Sequence, residues 1–311
     1  TTEIYTLSLH DALPILPVTK ADLAERGWEE FDFLVITGDA YVDHPSFGPA
    51  IISRVLEAEG YRVAVLAQPD WKDPAAFTAL GRPRLGVMVS GGNIDSMVAH
   101  YTVAKKRRHD DAYSPGNRAG LRPDRAVIVY ANKVREAFGD IPLVIGGLEA
   151  SLRRFAHYDY WEDKVRRAIL FDSQADLLLY GMGERSVVEV ADALNSGLSP
   201  ADITFVDGTV YKARSPELPV PHLILPDYGT LCRSRRKYAE SFYTQYCNTD
   251  PFSGRTLVEP YGPGEYVIQN PAQKPLSQQE MDRVYGLPYM RTWHPDYGKA
   301  GGVPAIEEVR F

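Results

Sequence analysis

The sequence predicts an α/β fold built on a doubly wound parallel sheet, and three observations carry that expectation. Between residue 31 and about residue 197, short apolar runs alternate with amphipathic stretches of helical length. The apolar runs are nearly continuous, as in strands covered on both faces. Several lead directly into glycine, which lets a chain leave a buried strand and turn tightly into a helix.

Taken in order, "FDFLVITG" (31–38) reads as a buried strand and "SFGPAIISRVLEAEG" (46–60) as a helix closed by Gly60 at its C-terminal cap. "YRVAVLA" (61–67) is a second strand, "DPAAFTAL" (73–80) a short helix and "RLGVMVS" (84–90) a third strand. "DRAVIVYANKVREAF" (124–138) has the wide apolar face of a core helix. "PLVIGG" (142–147) and "ADLLLYG" (175–181) complete five strands, and "ERSVVEVADALNSG" (184–197) closes the unit. Strands alternating with helices require crossover connections, hence a parallel sheet with helices on both faces. Residues 17–200 are therefore expected to form one α/β, cofactor-binding-like domain.

After about residue 200 the texture changes. "ITFVDGTVYKA" (203–213) reads as a hairpin turning at Asp207-Gly208, and "GTLCRSRRKYAESFYTQYC" (229–247) as one helix. A Pro- and Gly-rich stretch runs to residue 275, and "SQQEMDRVYGL" (277–287) is a short helix with Ser277 as N-cap and Glu280 at the capping-box position. Too little periodic apolar sequence remains for a second core, so residues 201–300 read as a connector wrapped on something larger. From Pro304 to Phe311 the pattern of a strand begins, with Val309 and Phe311 on one face and Glu308 and Arg310 on the other. Residues 1–16 lack an initiator Met, a basic n-region and any clear period, and are set aside as non-native read-through.

Composition narrows the function classes. The chain is 44% hydrophobic and 24% charged, close to an ordinary globular average. No apolar run approaches the roughly 18 residues of a membrane helix, so no membrane partner is expected. Cys232 and Cys247 have neither metal-site spacing nor the numbers of a disulfide framework, which makes a reducing cytoplasm the expected location. The net charge of -7 speaks against nucleic acid as a partner, since such proteins normally carry a basic excess.

In an open parallel sheet, ligands bind beyond the carboxyl ends of the strands. The loop after the first strand offers Asp39, Asp43 and His44, and the loop after the third Gly91, Gly92 and Asn93. The fourth strand is followed by Gly146, Gly147 and Glu149, and the fifth by Gly181, Gly183 and Glu184. Any one such loop reads equally as a tight turn. Four on one edge suit close backbone approach by a bulky cofactor or phosphate. No phosphate-binding P-loop is present, and "GMGERS" (181–186) lacks the third glycine of a dinucleotide fingerprint.

His44 is a candidate metal or cobalt ligand with Asp43 to orient it; alternatively, Pro45 and Ser46 simply start the next helix. "KKRRHDDAYSPGNRAGLRPDR" (105–125) is a long polar loop whose basic run grips phosphates or is a solvated face. "HYDYWEDKVRR" (157–167) lines a pocket or caps a helix. No nucleophile–base set and no paired carboxylates stand out, so no catalytic centre is expected in this chain.

The blocks "TGDAYVDHPSFG", "AQPDW", "GNIDSMVAHYT", "RRHDDAYSPG", "GLRPDRA", "GGLEASLRRFAHYDYW", "YGMGERS", "QNPAQKPLSQQEMDRVYGLPYMRTWHP" and "GGVPAIEEVRF" closely resemble the YgiQ-type radical SAM proteins, a bacterial family of uncharacterised function. The resemblance runs from about Pro17 to Phe311. It implies a flavodoxin-like, cobalamin-binding-type front domain followed by a radical SAM barrel, whose first strand would be residues 301–311. It also implies a C-x-x-x-C-x-x-C motif beyond Phe311, binding a [4Fe–4S] cluster and S-adenosylmethionine in the full-length protein. Three thiolates are needed to hold such a cluster and leave one iron open, and Cys232 and Cys247 cannot supply them.

For cobalamin, the base-off motif D-x-H-x-x-G has its nearest match in Asp43-His44-Pro45-Ser46-Phe47-Gly48, with both spacings shifted by one. A corrinoid held without a protein ligand, or none at all, therefore stays open. The resulting expectation is the N-terminal part of a radical SAM enzyme of unassigned substrate, inactive by itself and partnered by the missing barrel. The alternatives are a corrinoid- or nucleotide-binding module that works alone, and an RNA-associated protein using Lys105–Arg108 and Arg233–Lys237.

Overall fold

The computed structural model describes residues 15–308, with the side chain of Glu308 outside the description. Its strands are β1 (Phe33–Thr37), β2 (Val42–Asp43), β3 (Val63–Ala67), β4 (Gly86–Ser90), β5 (Leu143–Gly146), β6 (His157–Asp159) and β7 (Lys164–Arg166). They continue with β8 (Leu177–Leu179), β9 (Thr209–Ala213), β10 (His222–Ile224), β11 (Thr256–Gly262), β12 (Glu265–Gln269) and β13 (Thr292–Trp293). The helices are α1 (Lys20–Glu25), α2 (Gly48–Ala58), α3 (Ser96–His100), α4 (Ala126–Phe138), α5 (Gly147–Leu152) and α6 (Ile169–Asp172). After them come α7 (Glu184–Asn195), α8 (Tyr228–Arg233), α9 (Arg235–Cys247) and α10 (Gln278–Tyr285).

Nine strands form one sheet in the order β10-β11-β12-β9-β8-β5-β4-β1-β3. From β3 to β8 all neighbours are parallel. Numbered by their order along the chain, these five strands lie 2-1-3-4-5, the flavodoxin-like doubly wound order. The expected α/β class and parallel sheet are present. Alternation along β1 explains why both faces are covered: Phe33 and Val35 join the core under α2 and α7, whereas Leu34 and Ile36 join the core under α4. Each fully buried aliphatic side chain in these layers contributes on the order of 2 kcal/mol.

The second half departs from the expectation in several places. Residues 203–213 are not a hairpin. Ile203 and Val206 are wholly buried, and Asn270 donates to the Thr204 and Val206 carbonyls, 2.9 Å each, which removes that backbone from strand pairing. Gly208 turns the chain at φ +75°, and β9 then pairs antiparallel with β8 and β12. The four strands β9 to β12 thus extend the same sheet, and Val210, Leu257, Val267 and Ile268 feed its two cores.

The single helix expected over 229–247 is broken at Ser234, whose extended backbone (φ -132°, ψ 105°) and side-chain oxygen cap a new helix, accepting from the Lys237 amide. Residues Pro74–Thr78 form a 3-10 turn rather than an α-helix, as does Pro304–Glu308 where a strand was expected; residues 309–311 lie outside the described residues. "HYDYWEDKVRR" contains a β6–β7 hairpin rather than a helix cap. Of the segment 1–16, only Ile15 and Leu16 are described; Leu16 is buried in the core, and the Arg26 guanidinium donates to the Ile15 carbonyl.

Candidate functional site

The strand order reverses between β1 and β4, and there the loops leaving the two strands part to opposite sides of the sheet. Their backbones touch at this point. A Cβ added to Gly38 would lie 2.2 Å from the Gly91 carbonyl oxygen, so only glycine fits. Gly92 follows in a left-handed conformation (φ +106°), and its Cβ would fall 2.1 Å from Asp39 Oδ1. A cavity of about 460 Å³ opens beside this junction, between the α2/α7 face of the sheet and the two helices.

Its floor is apolar, made by Val35, Met88, Val144 and Leu179 of four adjacent strands. Ile51 and Ile52 of α2 and Val187 of α7 form the walls. The rim is glycine-rich: Gly92, Gly146, Gly147, Gly181 and Gly183 all line it, together with Asn93, Tyr113, Leu148, Met182 and Glu184. Gly147 adopts φ +78°, and a Cβ there would lie 2.6 Å from Ser90 Oγ, so conformation and space both call for glycine. Asn93 staples the rim by accepting from the Gly48 amide (3.0 Å) and donating to the Ser46 carbonyl (3.2 Å). The start of α2 is thereby fixed to the loop after β4.

The loops are held from behind by a buried ionic network. Arg122, 1% exposed, pairs with Asp39 at 2.7 Å and Asp111 at 2.8 Å and donates to the Gly91 carbonyl. Burial pushes the Asp39 carboxyl up to about 6, against the pull of the Arg122 charge and the Asn93 amide that donates to it. Gln68, itself at φ +46°, donates to the Gly38 carbonyl and to Ser114. Glu149 is also buried; its two oxygens take the amides of Ser96 (2.9 Å) and Val127 (3.0 Å), fastening α3 and α4 behind the rim.

Of the residues expected at the site, Gly92, Asn93, Gly146, Gly147, Gly181, Gly183 and Glu184 meet around the cavity. Asp39, Gly91 and Glu149 stand behind it as supports. Asp43 and His44 are placed elsewhere. Asp43 is fully buried and pairs with Arg54, while accepting from the Tyr41 hydroxyl (3.1 Å) and the Met290 amide (3.0 Å). Its oxygens are committed, so it does not orient His44. His44 is 8% exposed, and its Nδ1 accepts the Ser46 amide. Nor do Pro45 and Ser46 start the next helix, since α2 begins at Gly48 with Phe47 as an N-cap that makes no side-chain capping bond.

Sequence reasoning missed Arg122, Asp111, Gln68 and Tyr113. Three of them come from the polar stretch 105–125, whose Asp111 and Arg122 are buried; charged residues that far apart give no periodic signal. Among the described residues no group of His, Cys, Asp and Glu is arranged to hold a metal ion, and no helix is long and apolar enough to cross a membrane. Cys232 and Cys247 are both exposed, on α8 and α9.

A family model described as Radical SAM N-terminal matches residues 15–311. A UPF0313 protein of Clostridium perfringens (strain 13 / Type A) is 57% identical over 297 residues, covering 95% of this chain and 45% of the relative. A UPF0313 protein of Clostridium botulinum (strain 657 / Type Ba4) is 54% identical over 299 residues, covering 96% and 47%. The chain thus spans about half the length of the curated relatives it matches. Among solved structures, a radical S-adenosylmethionine methyltransferase, TsrM, from Kitasatospora setae aligns with a TM-score of 0.39 at 20% identity, covering 59% of this chain and 28% of that one. That likeness is too slight to carry an argument.

Proposed function

The chain belongs to the Radical SAM N-terminal family, and from that premise we propose that it is the ligand-holding front part of a cytoplasmic radical SAM iron–sulfur enzyme. One observation carries the reading: the cavity lies at the switch point of a 2-1-3-4-5 sheet, apolar within and glycine-lined at its mouth. Such a site suits an elongated cofactor whose flat aromatic end enters between sheet and helices while a phosphate-bearing part lies along the glycine loops. The nucleotide tail of a corrinoid has that form.

The residues fit the tail and not a cobalt ligand. Among the described residues no histidine lines the cavity, and His44, off its lining, accepts the Ser46 amide at Nδ1 and so carries its proton on Nε2; a corrinoid would bind here without a protein ligand to its metal. A [4Fe–4S] cluster does not fit the described residues at all, since Cys232 and Cys247 cannot replace three thiolates. Cluster and S-adenosylmethionine are assigned to the further half that the longer relatives possess. Supplied there, they would generate the radical. The Ala305 amide donates to the Ala112 carbonyl (2.9 Å), next to Tyr113 of the cavity rim, which supports placing that second half at the cavity mouth.

The test is anaerobic reconstitution of the full-length protein with iron and sulfide, followed by corrinoid titration. The expected result is a [4Fe–4S] cluster by electron paramagnetic resonance and a corrinoid affinity lost in Ile52→Phe. A protein that takes up no cluster overturns the enzyme reading; corrinoid binding without a cluster would make the chain a binding module instead.

A further inference from the structure

The two basic runs of the sequence, Lys105–Arg108 and Arg233–Lys237, lie far apart along the chain, and the β6–β7 hairpin bridges them. Lys105, Lys106, Arg107 and Arg108 are all exposed, and among the described residues none forms an ion pair with a carboxylate. Lys105 Nζ lies 4.7 Å from the centre of the Tyr160 ring and donates to the Trp161 carbonyl, and the Tyr160 hydroxyl donates back to the Val103 carbonyl at 2.8 Å. On the other side of the hairpin, the Tyr158 amide donates to the Tyr238 hydroxyl of α9 (2.9 Å), and the Arg235 charge is felt at the Tyr158 hydroxyl. Arg233 and Arg235 are exposed and form no ion pair among the described residues, whereas Arg236 and Lys237 share Glu240.

The result is a strip that runs basic, aromatic, basic. Tyr158 and Tyr160 are 48% and 43% exposed, and Tyr160 and Trp161 meet edge to face at 5.5 Å. The hairpin's acids are already engaged: Glu162 pairs with Arg125, Lys164 and Arg166, Asp159 with Arg125, and Asp163 takes the Tyr158 hydroxyl. The strip sits beside the cavity, because α3, which leads into the Lys105 loop, is fastened to α5 through Asp95–Arg153 and the Ser96 amide on Glu149. Leu148 of α5 lines the cavity rim.

We propose that this strip binds a single-stranded nucleic acid, the phosphates lying on Lys105–Arg108 and on Arg233 and Arg235 and a base stacking on the exposed tyrosines. Unpaired cations explain attraction to any polyanion; the exposed tyrosines between them add what an acidic peptide would not use and a base would. The inference deepens the reading above by naming the substrate class brought to the radical site, and it rests on that reading for its catalytic meaning. Binding itself does not require the cluster.

The experiment is fluorescence anisotropy of the full-length protein with labelled oligouridine and oligothymidine of about 12 nucleotides, at salt from about 50 to 200 mM. Binding is expected to weaken with salt at a log–log slope of about -2 to -3, as for three or four phosphates at about -0.7 each. Changing Lys105, Lys106, Arg107 and Arg108 together to Ser should weaken binding at least tenfold and flatten that slope, and Arg233→Ser with Arg235→Ser should do so to a smaller degree. Tyr160→Ala should weaken binding while Tyr160→Phe retains it, and Lys133→Ser, a basic side chain on α4 away from the strip, should change nothing. Equal affinity for the two oligonucleotides assigns recognition to phosphates and stacking, and a preference for oligouridine adds the ribose; both support the proposal. Absence of binding, competition by polyglutamate as strong as by oligonucleotide, or indifference to the four-residue change overturns it. Iron content of the same preparation keeps the two readings separate, since loss of the cluster with binding intact refutes only the enzyme.

Discussion

Replacing Glu259 by Gln should make the protein more stable at alkaline pH while changing little in mild acid. Glu259 is wholly buried on β11; its Oε1 accepts the Ala156 amide (2.7 Å) and the Tyr261 hydroxyl, and among the described residues its Oε2 has no hydrogen-bond partner. Burial pushes the carboxyl from 4.5 up to about 7, outweighing the Tyr261 and Ala156 hydrogen bonds and the Arg154 charge, which favour the ionised form. The folded state therefore holds its proton to higher pH than the unfolded chain does. Stability from this group is fully present below pH 4.5 and is lost as pH rises through about 7.

The whole shift corresponds to about 3 kcal/mol, of which about 2.5 kcal/mol falls between pH 5 and pH 8. Gln keeps an oxygen for Ala156 and Tyr261 and places an amide where Oε2 already lacks a partner, so it imitates the protonated acid. Urea unfolding of wild type and Glu259→Gln at both pH values measures the effect. The stability difference between the two proteins should move by about 2 to 3 kcal/mol in favour of the variant on going from pH 5 to pH 8. A difference equal at the two pH values would show that Glu259 does not ionise in this range, and the reasoning would fail.

Arg122→Met removes the cation shared by two buried carboxylates and should destabilise the protein by about 3 to 5 kcal/mol in urea unfolding. Gly92→Ala should lower the thermal midpoint sharply, because it combines φ +106° with a Cβ 2.1 Å from Asp39, whereas Gly181→Ala, at φ +72° with nothing within 4 Å, should cost only about 1 kcal/mol. Ile52→Phe should abolish ligand binding in the cavity without unfolding the chain, since Ile52 is half-buried on its wall and the added ring volume enters the open space; circular dichroism and a titration would separate the two effects.

The parallel half of the fold was legible because each of its strands is buried on both faces, and an uninterrupted apolar run is the mark of that environment. The antiparallel extension was not. β9 lies beside β12, whose residues 265–269 are separated from it by more than fifty positions, and a local pattern at Asp207-Gly208 cannot show that the partner of "TVYKA" is distant. The break at Ser234 was equally hidden, since a serine inside a helical pattern and a serine capping a new helix are the same letter. At the candidate site, the rule that ligands gather beyond the strands' carboxyl ends points to glycines that the structure brings around one cavity. The same rule points to Asp39 and Glu149, but their buried hydrogen bonds place them behind the cavity rather than on its lining.

Asp43 and His44 show the limit of reading a motif by spacing. The pair resembles a ligand with its orienting acid, yet the structure assigns Asp43 to the buried Arg54 guanidinium, and nothing local in the sequence announces a partner eleven residues on. The same blindness affected charge. The net value of -7 counts Arg54, Arg122 and Arg153 alongside Lys105–Arg108, although the first three are paired with carboxylates and present no field to a partner. What a polyanion meets is the unpaired, exposed subset, and the fold gathers Lys105–Arg108 on one side of an aromatic hairpin and Arg233 with Arg235 on the other. An acidic total is therefore compatible with a basic strip, and the salt dependence of oligonucleotide binding, rather than the net charge, decides between them.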